Sequence, residues 1–351
     1  MHTNIQMIRS RAAGFSLVEL MVSMTLSLIL LAGLLSVVYS SKLTYTQNDH
    51  VARMQEGGRT GLELMMRDLR GAGFPGCAQP IAGLFGLNNL LVDSNRLLWN
   101  FAAPLQGYEA TGATWAPVLD AALSALNPAL QTASDVVAVH TIRPGSPIFR
   151  ASLATLPTGG IVVNKAAGQS IPANTPVIIS DCGNATVFAA STFTDNGATA
   201  TITLATGGGG PANTTDVLPS AFTAGAQVAP VSTVVYYIAP TAANAAIPAL
   251  WRLVSGAAAE EIIPGAERLQ VQYGVDTNGD TFADNYVNAN AVANWSNVVS
   301  VNLALLMRGV ESSSPQAIAR TYDMLGTAVN FNDRFDRTVF TTTVSLRNRT
   351  I

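Results

Sequence analysis

The chain has 351 residues, which is enough for one large domain or two small ones, and its formal net charge is −3. Only 12% of its residues are charged, which is a low fraction for a cytosolic protein. No concentration of lysine and arginine is present, so the composition excludes the basic surface that nucleic-acid binding requires.

The first element is an apolar segment close to the N-terminus. From Leu20 to Tyr39 its only polar side chains belong to serine, threonine and the final tyrosine. As a helix these residues would be about 30 Å long, the thickness of a bilayer core. Arg9 and Arg11 precede the segment, and the next basic residue is Lys42. The positive-inside rule therefore predicts a single-pass membrane protein whose first residues stay in the cytoplasm and whose C-terminal part lies on the other side.

One acidic residue, Glu19, lies at the mouth of this segment. A charged carboxylate in lipid costs several kcal/mol, so it suggests a functional role. The run from Gly14 to Leu20, GFSLVEL, resembles the class III signal of type IV pilins and type II secretion pseudopilins. The resemblance implies a single-pass protein of the inner membrane with a periplasmic C-terminal domain and a cytoplasmic leader, residues 1–14, that a prepilin peptidase cuts between Gly14 and Phe15. It also implies N-methylation of Phe15, whose ammonium would pair with Glu19 of a neighbouring subunit in a fibre.

The same segment has two other interpretations. An ordinary signal anchor with an accidental Glu19 stays open. An ordinary secretory signal fits less well, because its cut would follow the apolar region at a small-residue site. Gly14 precedes that region, so the hydrophobic helix would be kept.

The helix is predicted to continue to Arg70 and to end in the glycine- and proline-containing stretch 71–75. Apolar residues recur at three- and four-residue steps between Val51 and Leu69, which is typical of an amphipathic helix packed on a domain. Three glycines at 57, 58 and 61 indicate a bend or close packing. The predicted divisions are a fibre-core or transmembrane helix over 15–39, an amphipathic half over 40–72, and a periplasmic globular domain over 73–351.

The rest of the chain is predicted to be rich in β-strands. A short helix is expected within 117–126, and the remainder of 76–133 is expected to be irregular. Nine strands are predicted, at 135–142, 160–164, 176–180, 198–205, 231–239, 249–254, 268–275, 298–307 and 338–346. The last two alternate apolar and polar residues, as half-buried antiparallel strands do. A helix followed by strands indicates an α+β fold, with the sheet on the amphipathic half of the helix.

The chain has two cysteines, Cys77 and Cys182. In an oxidising compartment they are predicted to form one disulfide, although two free buried thiols remain an alternative. The bridge would close a loop of about 105 residues, worth roughly 4–5 kcal/mol in the chain-entropy model.

The sharpest local motif is an acidic stretch that could supply oxygen ligands to calcium from Asp276, Asn278, Asp280 and Asp284. Thr281 and Val287 occupy the positions where an EF-hand has glycine and glutamate. The alternative is a hairpin loop with Asn278 and Gly279 at its turn. No other cofactor is expected, and no catalytic set stands out, so the sequence predicts a protein that is not an enzyme.

The C-terminal part resembles the PilW group of minor pilins. The resemblance rests on residues 267–287, on Trp295 to Met307, on residues 333–349 and on the region of Cys77. It implies a structural subunit of a tip or priming complex that starts pilus assembly and supports twitching motility and adhesion. The implied partners are the prepilin peptidase, other minor pilins, the major pilin and the inner-membrane assembly platform, with a final location in the pilus fibre. A minor pseudopilin of type II secretion and an adhesin or binding module on a pilin stalk remain alternatives.

Overall fold

The computed structural model describes residues 14, 16–74, 76, 87–152, 160–207 and 211–348. The chain divides into two compact units, the N-terminal unit, Met1–Ala52, and the globular unit, Arg53–Ile351. A long helix and many strands together confirm the predicted α+β class.

The first helix, α1, spans Leu17–Arg70. Glu19 lies in its first turn, and Arg67 and Arg70 lie in its last turn, where their charges complement the helix dipole. After Arg70 the chain leaves the helix through Gly73, whose φ of +64° is readily adopted only by glycine. The predicted end of the helix is therefore confirmed.

The remaining elements lie in the globular unit. The second helix, α2 (Ala121–Ser124), is a single turn capped by the Asp120 carboxylate, which accepts a hydrogen bond from the Ala122 N–H at 2.9 Å. The strands are β1 (Leu87–Asn89), β2 (Leu105–Ala110), β3 (Trp115–Ala116), β4 (Val136–Ile142), β5 (Phe149–Ala151), β6 (Ile161–Asn164), β7 (Thr175–Ser180), β8 (Ala185–Ala190), β9 (Thr192–Asp195), β10 (Thr199–Thr203), β11 (Gln227–Pro240), β12 (Pro248–Val254), β13 (Glu260–Pro264), β14 (Ala266–Val275), β15 (Asn285–Asn288), β16 (Val298–Arg308), β17 (Ile318–Met324), β18 (Thr327–Asp333) and β19 (Arg337–Ser345).

All nine predicted strands are present, as β4, β6, β7, β10, β11, β12, β14, β16 and β19. The expectation that 76–133 would be irregular is wrong, because β1, β2 and β3 lie there. The predicted helix at 117–126 is also shorter than expected. Strands β1 to β3 are short or lack alternation, so their own residues do not predict them. Pairing with later segments stabilises them: β2 pairs with β4, and β1 pairs in parallel with β8.

The longest strand, β11, joins two hydrophobic cores. Its first residues, Gln227–Pro230, pair with β7, and the residues from Val231 onward pair with β4 and β12. Phe149, Phe188 and Phe222 belong to a core that the middle of the chain builds for itself. The main core contains α1 residues such as Met65 and Leu69. The middle of the chain is therefore a second lobe with its own packing.

A four-stranded antiparallel sheet with the order β15-β14-β16-β19 packs on the part of α1 inside the globular unit. A Cβ added at Gly61 would lie 3.0 Å from Ile263 Cδ1, and one added at Gly58 would overlap the Phe340 ring. The Thr342 hydroxyl also lies 3.3 Å from the Met66 sulfur. The predicted close packing at these glycines is confirmed.

The prediction that β16 is half-buried is wrong. One face, which includes Leu303 and Leu305, belongs to the main core. The opposite face is also covered, because Ala304 and Leu306 pack against Met324 and Val329 of the hairpin formed by β17 and β18. The alternation predicted for the last strand holds, since Val344 and Leu346 are buried and Thr341 and Thr343 are exposed.

Candidate functional site

The predicted processing site lies at the start of the described chain. Gly14 is exposed, and Phe15 lies outside the described residues. Glu19 is exposed in the first turn of α1, where the Ser16 carbonyl accepts the Leu20 N–H at 3.0 Å. The cleavage, the methylation of Phe15 and the charge pair with Glu19 therefore stay predictions.

The N-terminal unit presents an apolar surface. From Leu17 to Tyr39 the large hydrophobic side chains are exposed, with Leu30 at 75%. Ser23, Thr25 and Ser27 each donate to a backbone carbonyl of the preceding turn, at 2.9, 2.9 and 2.7 Å. Polar groups satisfied within the helix suit an environment without water. By length and composition, α1 is the one helix among the described residues that could cross a membrane.

A buried charge cluster holds the end of α1 to strands β11 and β12. Asp68 is 5% exposed, and its Oδ2 accepts hydrogen bonds from Tyr236 Oη at 2.7 Å and from Arg252 Nη2 at 2.9 Å. The opposite side of the Arg252 guanidinium bonds Glu260 Oε1 at 3.0 Å. The aspartate and arginine are each matched by a partner, as buried charges must be. The sequence offered one signal, an arginine inside an apolar strand, but no means of finding its partner.

A second charge cluster connects the last strands. Arg337, which is almost fully buried, bonds Glu267 Oε1 at 3.1 Å and Asp333 Oδ2 at 2.6 Å. Its guanidinium carbon also lies 3.7 Å from the centre of the Phe331 ring, a cation–π contact. The cluster joins β14, β18 and β19, so it holds the β17–β18 hairpin against the sheet.

Two carboxyl groups, those of Glu109 and Asp135, interact where β2 comes near β14. Asp135 accepts the Ala110 N–H at 2.8 Å and the Val271 N–H at 2.9 Å. Burial, and then the negative charge of Glu109, raise the pKa of Asp135 to about 7. Burial also raises the pKa of Glu109, although Gln270 and Asn288 donate to it. Burial, and then the charges of Asp135 and Glu109, also raise the pKa of the nearby Tyr273 hydroxyl.

The acidic loop connects two paired strands, β14 and β15, as the hairpin interpretation expects. Asp276 accepts the Gly279 N–H at 2.6 Å and the Thr281 N–H at 2.8 Å, and these backbone bonds, that from Gly279 foremost, lower its pKa. Asp284 accepts the Thr277 hydroxyl at 2.6 Å, which lowers its pKa. The carboxylates thus shape their own loop, and calcium binding by Asp276, Asn278, Asp280 and Asp284 stays a prediction.

Neither the predicted metal site nor the predicted disulfide gains further support. In the described ranges no group of three or more His, Cys, Asp or Glu side chains could hold a metal ion. Cys182 follows β7, but Cys77 lies outside the described residues, so the disulfide between them stays a prediction.

His140 and Trp295 are packing residues. His140 is 2% exposed, and its ring nitrogens lie 2.7 Å from the Ala103 carbonyl and 2.8 Å from the Leu97 carbonyl. Burial lowers the His140 pKa. The indole of Trp295 meets Tyr273 edge to face, with 4.8 Å between ring centres. Three cavities of about 180, 310 and 660 Å³ are lined, as far as the chain is described, without an aromatic side chain.

Two family models match the chain, and they match its two ends. Residues 9–35 match the prokaryotic N-terminal methylation motif, which includes Gly14, Phe15 and Glu19. Residues 235–348 match the type IV pilus-assembly protein W family, and this range begins within β11 and ends just after β19. No curated protein and no solved structure matches the chain. Together, the motif at one end and the pilus-assembly family at the other support this chain as a PilW-like type IV minor pilin.

Proposed function

We propose that this protein is a minor pilin of the complex that initiates assembly at the pilus tip. The observation that supports the proposal most is the exposed apolar surface of α1 over residues 17–39, in which Glu19 is the one charged side chain. Such a surface needs lipid or other apolar helices around it. The PilW family match over the C-terminal strands supports a pilus rather than another fibre.

In this proposal the apolar helix first stores the subunit in the inner membrane, with the globular unit in the periplasm. After cleavage between Gly14 and Phe15, the same helix packs in the fibre core. The Glu19 carboxylate then neutralises the methylated Phe15 ammonium of a neighbour. Each charge leaves water only when its partner is present, so the pair favours ordered insertion.

The proposed partners are the prepilin peptidase, the other minor pilins, the major pilin and the inner-membrane assembly platform. Through them the protein would support pilus biogenesis, twitching motility and adhesion. A minor pseudopilin of a type II secretion system is the second candidate, favoured by the shared N-terminal motif. Neighbouring genes distinguish the two candidates. Genes for other minor pilins would favour the pilus, and genes for secretion components would favour the pseudopilin.

The charge pair is tested by Glu19→Ala in the native host. We expect normal insertion in the membrane fraction but a fall of about tenfold or more in surface pili, because the Phe15 amine loses its partner. Glu63→Ala is the matched control, since Glu63 is exposed on the same helix inside the globular unit. Normal piliation with Glu19→Ala would contradict the mechanism.

The processing step is tested separately, by intact mass and N-terminal sequencing of the protein purified from membranes. A mature chain that begins at methylated Phe15 is the expected result. A chain that keeps Met1, or one cut after Tyr39, would remove the basis of the proposal.

A further inference from the structure

The last strand, β19, lies at the edge of the four-stranded sheet. It pairs with β16 over nine consecutive residues, from Arg337 opposite Arg308 to Ser345 opposite Ser300, with no register shift. An edge strand of this length and regularity presents a row of backbone groups on its outer side. Its outer side is therefore a surface that another strand can pair with.

The hydrogen-bond pattern identifies the outward groups. The Leu346 N–H bonds the Val299 carbonyl at 2.9 Å, directly beyond the last registered pair of β16 and β19. Because antiparallel partners alternate, the main-chain groups of Val344, Thr342, Phe340 and Thr338 face β16. Those of Val339, Thr341, Thr343 and Ser345 point away from it. No hydrogen bond found among the described residues reaches these outward groups.

Two other edge strands in the globular unit, β13 and β9, carry features that discourage pairing. β13 contains Glu260, Glu261 and Pro264, and a register shift interrupts its pairing with β12. β9 is only four residues long and ends in Asp195. From Thr338 to Ser345, β19 has neither a proline nor a charged side chain. Proteins usually protect an open edge by such means, and this edge lacks them.

The side chains of β19 suit the addition of a strand. Thr341, Thr343 and Ser345 are exposed and uncharged, so a neighbouring strand would bury no charge. The Thr343 hydroxyl is already bonded to Asn302 Oδ1 at 2.7 Å, which fixes its position along the sheet. The matching partner is an uncharged strand of about six residues, the usual strand length.

We propose that β19 pairs through its outward main-chain groups with a strand of a different pilus subunit. The choice of partner follows from position: within the globular unit α1 lies beside β19, with Gly58 against Phe340 and Met66 against Thr342. A subunit that packs along this part of α1 reaches the edge. The inference rests on the proposed function and adds β-strand addition as the mode of contact.

The test compares Thr341→Pro with Thr341→Ala in the full-length protein in its host. Both remove the hydroxyl, but only proline removes the outward N–H. Proline is tolerated where the N–H of an edge strand faces outward, so both variants should fold. A photo-crosslinking residue at Thr343 should give a product with another prepilin-type subunit. We expect the yield to fall about tenfold in Thr341→Pro and to stay unchanged in Thr341→Ala.

A second probe, at Val37 in the apolar part of α1, separates this inference from the proposed function. Pilin products from Val37 with none from Thr343 in the otherwise unchanged protein would overturn strand addition and leave the proposed function intact. Products from Thr343 that contain only a second copy, or a protein that is not a pilin, would overturn the choice of partner. The absence of pilin products from Val37 would count against the proposed function itself. Equal yields from Thr343 in the proline and alanine variants would overturn main-chain pairing.

Discussion

At the scale of single residues, the buried Asp68 and Arg252 form part of a matched set of charges. Asp68 meets Tyr236 and Arg252, whose positions lie 168 and 184 residues further along the chain. Removing one member of such a set strands the others, which costs more than the pair contributes. The cluster therefore holds the end of α1 in place against strands β11 and β12.

The carboxyl pair of Glu109 and Asp135 predicts an unusual dependence of stability on pH. The folded-state pKa of Asp135, about 7, lies above the unfolded value of about 3.9. Between these pH values the folded state keeps a proton that the unfolded state releases. The free energy of unfolding should therefore fall as pH rises from about 4 to 7, and then level off. Glu109→Gln should reduce this fall, because the Glu109 charge helps raise the Asp135 pKa.

The measurement is urea unfolding of the full-length protein in detergent at pH 5 and pH 8. The free energy of unfolding of Glu109→Gln, compared with that of the unmodified protein, should be more favourable to folding at pH 8 than at pH 5. Glu63→Gln, at an exposed position on α1, serves as the control and should leave the difference unchanged. Identical pH dependence in all three proteins would show that the Glu109 charge does not act on Asp135.

At the scale of elements, the glycines of α1 show how packing overrides helix propensity. Each costs about 1 kcal/mol relative to alanine in an isolated helix. At Gly58, however, a Cβ would overlap the Phe340 ring, whereas at Gly33 a Cβ would meet nothing within 4 Å. Packing therefore requires glycine at position 58, whereas no contact within the described chain requires it at position 33.

Gly58→Ala should accordingly lower the free energy of unfolding by about 1–3 kcal/mol, since the clash outweighs the gain in propensity. Gly33→Ala should have no such effect. Combining Gly58→Ala with Phe340→Leu should restore part of the loss, because the ring is what the new methyl meets. The midpoint of urea unfolding is measured for Gly58→Ala, Gly33→Ala and the double variant. A Gly58→Ala protein that is more stable than the unmodified one would disprove the packing argument.

At the scale of the whole molecule, the predicted disulfide would link the segment after α1 to the second lobe. If Cys77 and Cys182 are bonded, Cys182→Ser should lower the melting temperature as much as a reductant lowers it in the unmodified protein. The chain-entropy model gives roughly 4–5 kcal/mol for this loop length. The reductant should not affect Cys182→Ser. Identical melting temperatures of the unmodified protein with and without reductant would argue against the bridge.

The sequence by itself determined α1 and most long strands, because their signals are local. The apolar run after Gly14 and the glycines at 71 and 73 define the helix, and the run 298–307 defines β16. The membrane-length segment and the processing motif are also local, and the family matches agree with them.

Only the tertiary structure decided what depends on segments far apart in the chain. It buried the second face of β16 under a hairpin that the sequence pattern did not predict, and it formed β1 and β2 by pairing them with later strands. It also brought Asp68 to Arg252 and left the outer side of β19 open. A short pattern records the preference of its own residues, but burial, ion pairing and strand order are set by which distant surfaces meet.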